Sequence, residues 1–167
     1  MSVALRNPGF EDEPNPGRPC PMGWDCILHA GGDSFRFFDD ETEPAQGKRS
    51  LCIEPLTKEP WAVASQGLFD IAQMRGSRVR FSVALRLDAI TGEGAGPSAS
   101  AQDGHGVVIA RASRLLRGTQ GWQRVEVDLD VPPAAALVEV GVTFVGRGRV
   151  CLDDARLEIR GIPKSPV

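Results

Sequence analysis

The residues best suited to chemistry in this chain lie in the run Arg149–Arg160, which reads R-V-C-L-D-D-A-R-L-E-I-R. Val150 and Leu152 keep one alternation, while Ala155, Leu157 and Ile159 keep the opposite one. A strand shows the same face at every second residue, so the change of parity at Asp153–Asp154 predicts a bulge or bend between the two halves. One carboxylate is thereby brought toward the buried side of a strand, where an unpaired charge is costly. A hard cation such as Ca²⁺ is the economical partner, because it takes carboxylate and carbonyl oxygens. The competing reading is a surface corner at which both aspartates face water.

Other reactive constellations are sparse. The segment G-E-G-A-G-P at 92–97 lacks the lysine and the following helix of a phosphate-binding loop, and no G-x-S-x-G elbow occurs. His29 falls in a strand-like run and His105 in a glycine-rich one, and neither is spaced with thiols as a zinc site or a Cys–His nucleophile requires. The clusters Glu11-Asp12-Glu13 and Asp39-Asp40-Glu41 have the residue types of a glycosidase carboxylate pair. Both sit in charged, turn-rich segments, where solvated acidic turns are the simpler reading, so no enzyme is predicted. The four cysteines, Cys20, Cys26, Cys52 and Cys151, match neither a redox pair nor a zinc ribbon. Cys52 and Cys151 lie inside apolar runs and read as buried free thiols. Cys20 and Cys26 flank P-M-G-W-D and can bridge only in an oxidising compartment.

These residues must be positioned by what the rest of the chain can build. The 167 residues suit one domain spanning 1–167, and hydrophobic and charged contents of 41% and 25% are those of an ordinary globular chain. A net charge of −3 shows no basic footprint and argues against a nucleic-acid partner. No apolar run approaches the roughly 20 residues of a membrane span, so no membrane partner is expected. Met1–Leu5 is too short for a signal peptide and is interrupted by Arg6-Asn7-Pro8-Gly9. The expectation is an intracellular protein or a domain cut from a longer secreted one.

Strand patterns are read at 2–5, 24–29, 34–38, 50–54 and 61–68, with 69–75 as a short helical or extended connection. The clearest is Arg78–Asp88, where Val79, Phe81, Val83, Leu85 and Leu87 take every second place. Ala89–Gly106, rich in Gly, Ser and Ala, reads as a long flexible loop. Further strands follow at 107–112, 122–129 and 137–145, with a turn over 116–121. Alternation places Arg80, Ser82, Ala84 and Arg86 on a wet face, joined by Arg124, Glu126 and Asp128 and by Glu139 and Thr143 from other strands. Regular turns and the lack of an amphipathic helix predict an all-β fold, an antiparallel β-sandwich of the jelly-roll kind.

Four segments in this order, N-P-G-F-E at 7–11 with G-W at 23–24, Q-G-K-R-S-L at 46–51, G-T-Q-G-W-Q-R-V-E-V-D-L-D-V-P at 118–132 and V-C-L-D-D-A-R-L at 150–157, resemble a known group. It is that of the β-sandwich carbohydrate-binding modules attached to xylanases and glucanases, within the galactose-binding-like jelly rolls. The resemblance spans Asn7 to Ile159. It implies a non-catalytic module with a structural calcium that ties the N-terminal turn to the last strand. Glu11 and Asp154 would supply carboxylates, and Gly9, Gly47 and Lys48 backbone carbonyls. Such modules stack sugars on Tyr or Trp and add hydrogen bonds from Gln, Asn, Asp and Arg. This chain has no Tyr, and Trp24 and Trp122 match positions that pack inside. Trp61, with Gln66 five residues on, is left as the stacking candidate, beside Arg80, Arg86, Arg124 and Glu126 of the wet face. Opposite charges on that face favour cross-strand ion pairs over a groove in which arginines meet carboxylated sugars. The expected partner is a polysaccharide or glycoconjugate. The alternative is an interaction or assembly module on the same sandwich, with a protein partner or a second copy.

Overall fold

Period-two alternation governs the chain, and it sorts the strands into two layers. The structure is a computed structural model and describes residues 1–12, 20–28, 34–57 and 61–161. The strands are β1 (Ser2–Val3), β2 (Asp25–Leu28), β3 (Phe35–Asp40), β4 (Ser50–Pro55), β5 (Ala62–Leu68), β6 (Arg78–Gln102), β7 (Val108–Ser113), β8 (Leu116–Asp130), β9 (Leu137–Val145) and β10 (Arg149–Gly161). No helix occurs among the described residues, and so none there is long and apolar enough to cross a membrane. The expected strands therefore form, and the fold is the antiparallel sandwich. His29 and Glu13 lie outside the described residues.

The element that organises both layers is β6, a single strand of 25 residues. Its first half pairs β10 and β8, in the layer β3-β4-β10-β6-β8, with β1 added to β10. Its second half pairs β9 and β7, in the layer β2-β5-β9-β6-β7. Every pairing is antiparallel. The inward positions form one core: Val79, Phe81, Val83 and Leu85 from β6 face Val138, Val140 and Val142 from β9 in a single cluster. Phe35 of β3 meets Phe144 of β9 edge-on, with ring centroids 5.9 Å apart, which joins the layers.

Three expectations need correction. Ala89–Gly106 is not a flexible loop, since β6 continues through it to Gln102. The alternation persists in miniature, with Ala95, Ala99 and Ala101 buried. These residues are small because neighbouring backbone lies on them: a Cβ at Gly96 would run into the Arg114 carbonyl, and one at Gly94 would lie 2.5 Å from the Leu116 carbonyl oxygen. Residues 116–121, read as a turn, are the start of β8, which follows β6 through register shifts. Cys52 and Cys151 are not free thiols. They are a register pair of β4 and β10 with Cα atoms 4.0 Å apart, and they form a disulfide. Cys20 and Cys26 are also bridged.

Candidate functional site

The residues expected to bind a ligand sit mostly on the outer face of the β3-β4-β10-β6-β8 layer, where they are engaged with one another. Arg80 donates to Asp128 at 2.8 Å and lies 3.6 Å from Glu126. One strand position along, Arg78 pairs with Asp130 at 2.7 Å. These bonds hold the carboxyls of Asp128 and Asp130 below their ordinary range. Arg86 bridges Glu43 at 2.8 Å and Asp40 at 3.2 Å, with its guanidinium 5.6 Å from the Trp122 ring. Asp40 is lowered chiefly by its bonds from Thr42 and then by Arg86. Arg124 reaches Ser82 Oγ at 3.0 Å and pairs with the Asp154 carboxylate. Ser82 and Ala84, expected to be wet, are buried beneath this network. Asp40 also lies beside Cys52 and Cys151, but sulfurs joined in a bridge offer no thiolate to a metal.

Gln66 is not a surface residue. It is 1% exposed, accepts from the Arg6 amide and donates to the Arg6 carbonyl, both at 3.0 Å, and so pairs the N-terminal segment to β5. Trp24 is buried, stacks on Phe10 at 4.9 Å and donates to the Asn7 carbonyl at 3.0 Å. Trp122 departs from the expected interior position: it is half-buried and donates to the Glu43 carbonyl at 2.8 Å. Trp61 is half-buried immediately before β5.

The N-terminal turn, the 45–49 turn and β10 converge, as the calcium expectation requires. The parity break is real, with a register shift between Asp153 and Arg156 and Asp154 in a left-handed conformation (φ 48°). The Pro8 carbonyl accepts from the Ala155 amide at 2.9 Å, tying the turn to the bulge. Glu11 accepts from the Lys48 amide at 2.9 Å and the Arg49 amide at 3.2 Å, and Gly9 lies against Gln46. Gly47 admits no side chain, because its Cβ would collide with the Glu11 carboxylate. The expected Asp154 carboxylate turns away, to Arg124 and Arg156. Asp153 takes its place: it is fully buried, accepts from the Gln46 amide at 3.0 Å and lies near Glu11. Burial pushes its pKa up to about 6, against smaller lowering by hydrogen bonds from backbone amides, and the repulsion of Glu11 adds to the rise. Two converging carboxylates beside the backbone of Gly47 are a donor set suited to a hard cation.

Sequence reasoning missed the outer face of the other layer. There β5, β9, β6 and β7 form a groove of about 330 Å³. Its hydroxyls are Ser65, Ser98, Ser100, Ser113 and Thr143; its charges are Glu139 and Arg111; Val63, Val108 and Leu115 supply apolar surface. Register explains the arrangement. Ser113 pairs with Ser98, Ser98 with Gly141 and Gly141 with Ser65, so small residues run across adjacent strands. Gly141 keeps the floor open, since a Cβ there would strike the Ala64 carbonyl and Ser65. Ser98 and Thr143 hydroxyls lie 2.8 Å apart, and Ser65 donates to Glu139 at 3.1 Å. Glu139 and Thr143, assigned by alternation to the same face as Arg80, thus belong to the opposite layer. The serine alternation at 98 and 100 was the available signal.

No protein-family model and no curated protein sequence matches the chain. Solved structures do. The CBM22-1 xylan-binding domain of Paenibacillus barcinonensis Xyn10C superposes with a TM-score of 0.61 at 16% identity, over 93% of each chain. A CBM61 module in complex with β-1,4-galactotriose gives a TM-score of 0.57 at 16% identity, over 93% of this chain and 97% of that one. The arabinose-bound α-L-arabinofuranosidase MgGH51 gives 0.63 at 16% identity, with 95% of this chain matching 28% of the enzyme. The chain has the fold of the galactose-binding-like carbohydrate-binding modules.

Proposed function

We propose that this chain is a non-catalytic glycan-binding module whose polysaccharide strand lies in the β5-β9-β6-β7 groove. The observation that carries the reading is the groove's lining, in which hydroxyls alternate with small apolar side chains over an open floor at Gly141. Serine and threonine hydroxyls both donate and accept, as sugar hydroxyls do. Val63, Val108 and Leu115 offer the C–H faces of a sugar ring an apolar contact in place of an aromatic platform. The likeness to a xylan-binding domain and to a galactotriose complex supports a polysaccharide ligand of this kind. Isothermal titration against a panel of neutral and acidic polysaccharides is the test. Saturable binding lost in Ser98→Trp is expected, and no binding to any glycan would end the proposal.

The same reading includes a structural calcium held by Glu11 and Asp153, with backbone carbonyls of Gly9, Gly47 and Lys48 as further oxygen donors. The buried Asp153 beside Glu11 supports it, because a cation would remove the cost of bringing two carboxylates together. The ion pins the chain's first turn to its last strand and takes no part in sugar binding. Thermal denaturation with calcium and with EDTA tests this arm; identical curves would remove the metal and leave the glycan reading intact.

A second reading has one observation in its favour. Val107, Val108 and Ile109 are exposed at the outer edge of the layer, where β7 pairs on one side only among the described residues. Such an edge can receive a protein strand. Light scattering and cross-linking that find a stable assembly abolished by Val108→Lys would favour it.

A further inference from the structure

We infer that the groove selects glycans bearing carboxylates, and that Arg111 on its β7 wall determines this specificity; the inference rests on the glycan-binding reading above. The opposite face of the molecule sets the standard for comparison. There Arg78, Arg80, Arg86, Arg124 and Arg149 each meet a carboxylate. Arg111 on β7, Arg114 at the turn and Arg117 at the start of β8 are exposed and make no ion pair among the described residues. Of these three, Arg111 lines the groove.

The groove also holds a carboxylate, and its placement matters. Ser100 of β6 is in register with Arg111 on one side and with Glu139 on the other. Two interstrand spacings, roughly 10 Å, therefore separate the two charged backbone positions. Glu139 accepts its hydrogen bond from Ser65 on β5, the strand on the far side of β9 from β7. The groove thus has a cationic wall at β7, a neutral hydroxyl floor and an acidic wall opposite, with the guanidinium left free. A neutral strand leaves that fork without an anion. A uronic acid whose carboxylate projects toward β7 receives two parallel N–H donors, while the sugar hydroxyls meet Ser98, Ser100 and Thr143.

The test uses one acidic polysaccharide in two forms: glucuronoxylan oligosaccharides, and the same material with its uronates reduced to neutral sugars. Homogalacturonan oligomers, native and carboxyl-reduced, form a second pair. Titration calorimetry on the intact chain should show tighter binding of a carboxylated form, on the order of tenfold at low salt and less as salt is raised. Arg111→Gln should bring the two members of that pair to the same affinity. Arg80→Gln on the opposite face should leave the preference intact. Equal binding of both forms by the unaltered chain, or a preference that survives Arg111→Gln, would overturn the inference while the glycan reading stood. Binding of neither form and of no other glycan would remove both.

Discussion

On the outer face of the β3-β4-β10-β6-β8 layer, arginines of β6 stand opposite aspartates of β8 and meet them: Arg78 with Asp130, Arg80 with Asp128. On the outer face of the β2-β5-β9-β6-β7 layer, serines flank Gly141 and Arg111 meets no carboxylate among the described residues. One strand, β6, supplies both faces, with long charged side chains in its first half and small hydroxyls in its second. On the proposed reading, charge density is a poor guide to the binding surface. Where opposite charges are in register they neutralise one another and cover the sheet; where side chains are short, the polar groups stay available and leave room above them.

The largest effect that separates the faces concerns stability alone. Replacing Cys52 and Cys151 together with alanine opens a cross-link between residues 99 apart and should cost about 4 kcal/mol in urea unfolding. Glycan affinity of the folded fraction should stay unchanged; a parallel loss of affinity would break the separation of the two faces. Next comes pH. Asp153 has a folded pKa of about 6 against an ordinary 3.8, so the folded state holds the proton more tightly than the unfolded one. In EDTA, stability should fall as pH rises from about 4 to about 6, by on the order of 3 kcal/mol, and then level off. Calcium should erase the fall, and Asp153→Asn should abolish the response to calcium. Urea titrations at several pH values decide it, and a flat profile in EDTA would count against the buried carboxylate.

Smaller effects sharpen the contrast. Ser98→Ala with Ser100→Ala should weaken glycan binding about tenfold while shifting the melting temperature by no more than a degree or two, because both side chains are partly exposed. Arg80→Gln with Asp128→Asn should do the reverse on a smaller scale, costing less than about 1 kcal/mol and leaving binding unchanged. If the second pair altered affinity, the neutralised face would have to be counted as part of the site.

Much of the layering was legible because branched apolar residues mark a strand plainly. The expected strand at 137–145 matches β9 residue for residue, and the parity break at Asp153–Asp154 marks a true register shift. Small residues carry the same periodicity at lower contrast, which is why the second half of β6 read as a loop. Gln66 shares the parity of Ala62 and Ala64, so its burial was open to inference, but polarity drew it to the surface. Alternation placed Glu139 and Thr143 outward but not on the correct layer, because strand order depends on long-range pairing. The Cys52–Cys151 bridge was invisible for the same reason: only register places those residues side by side. Likewise, which of two adjacent aspartates turns inward depends on the segment that covers them.

The 25-residue span of β6 has a consequence for how the protein comes into being. Its two halves are flanked by β10 and β9, the last two of these strands in chain order. A nascent chain that ends before Leu137 carries β6 with an open side on both halves, so neither sheet can close. Assembly of the sandwich must await the synthesis of β9 and β10, and the emerging chain depends until then on whatever shields its unpaired edges.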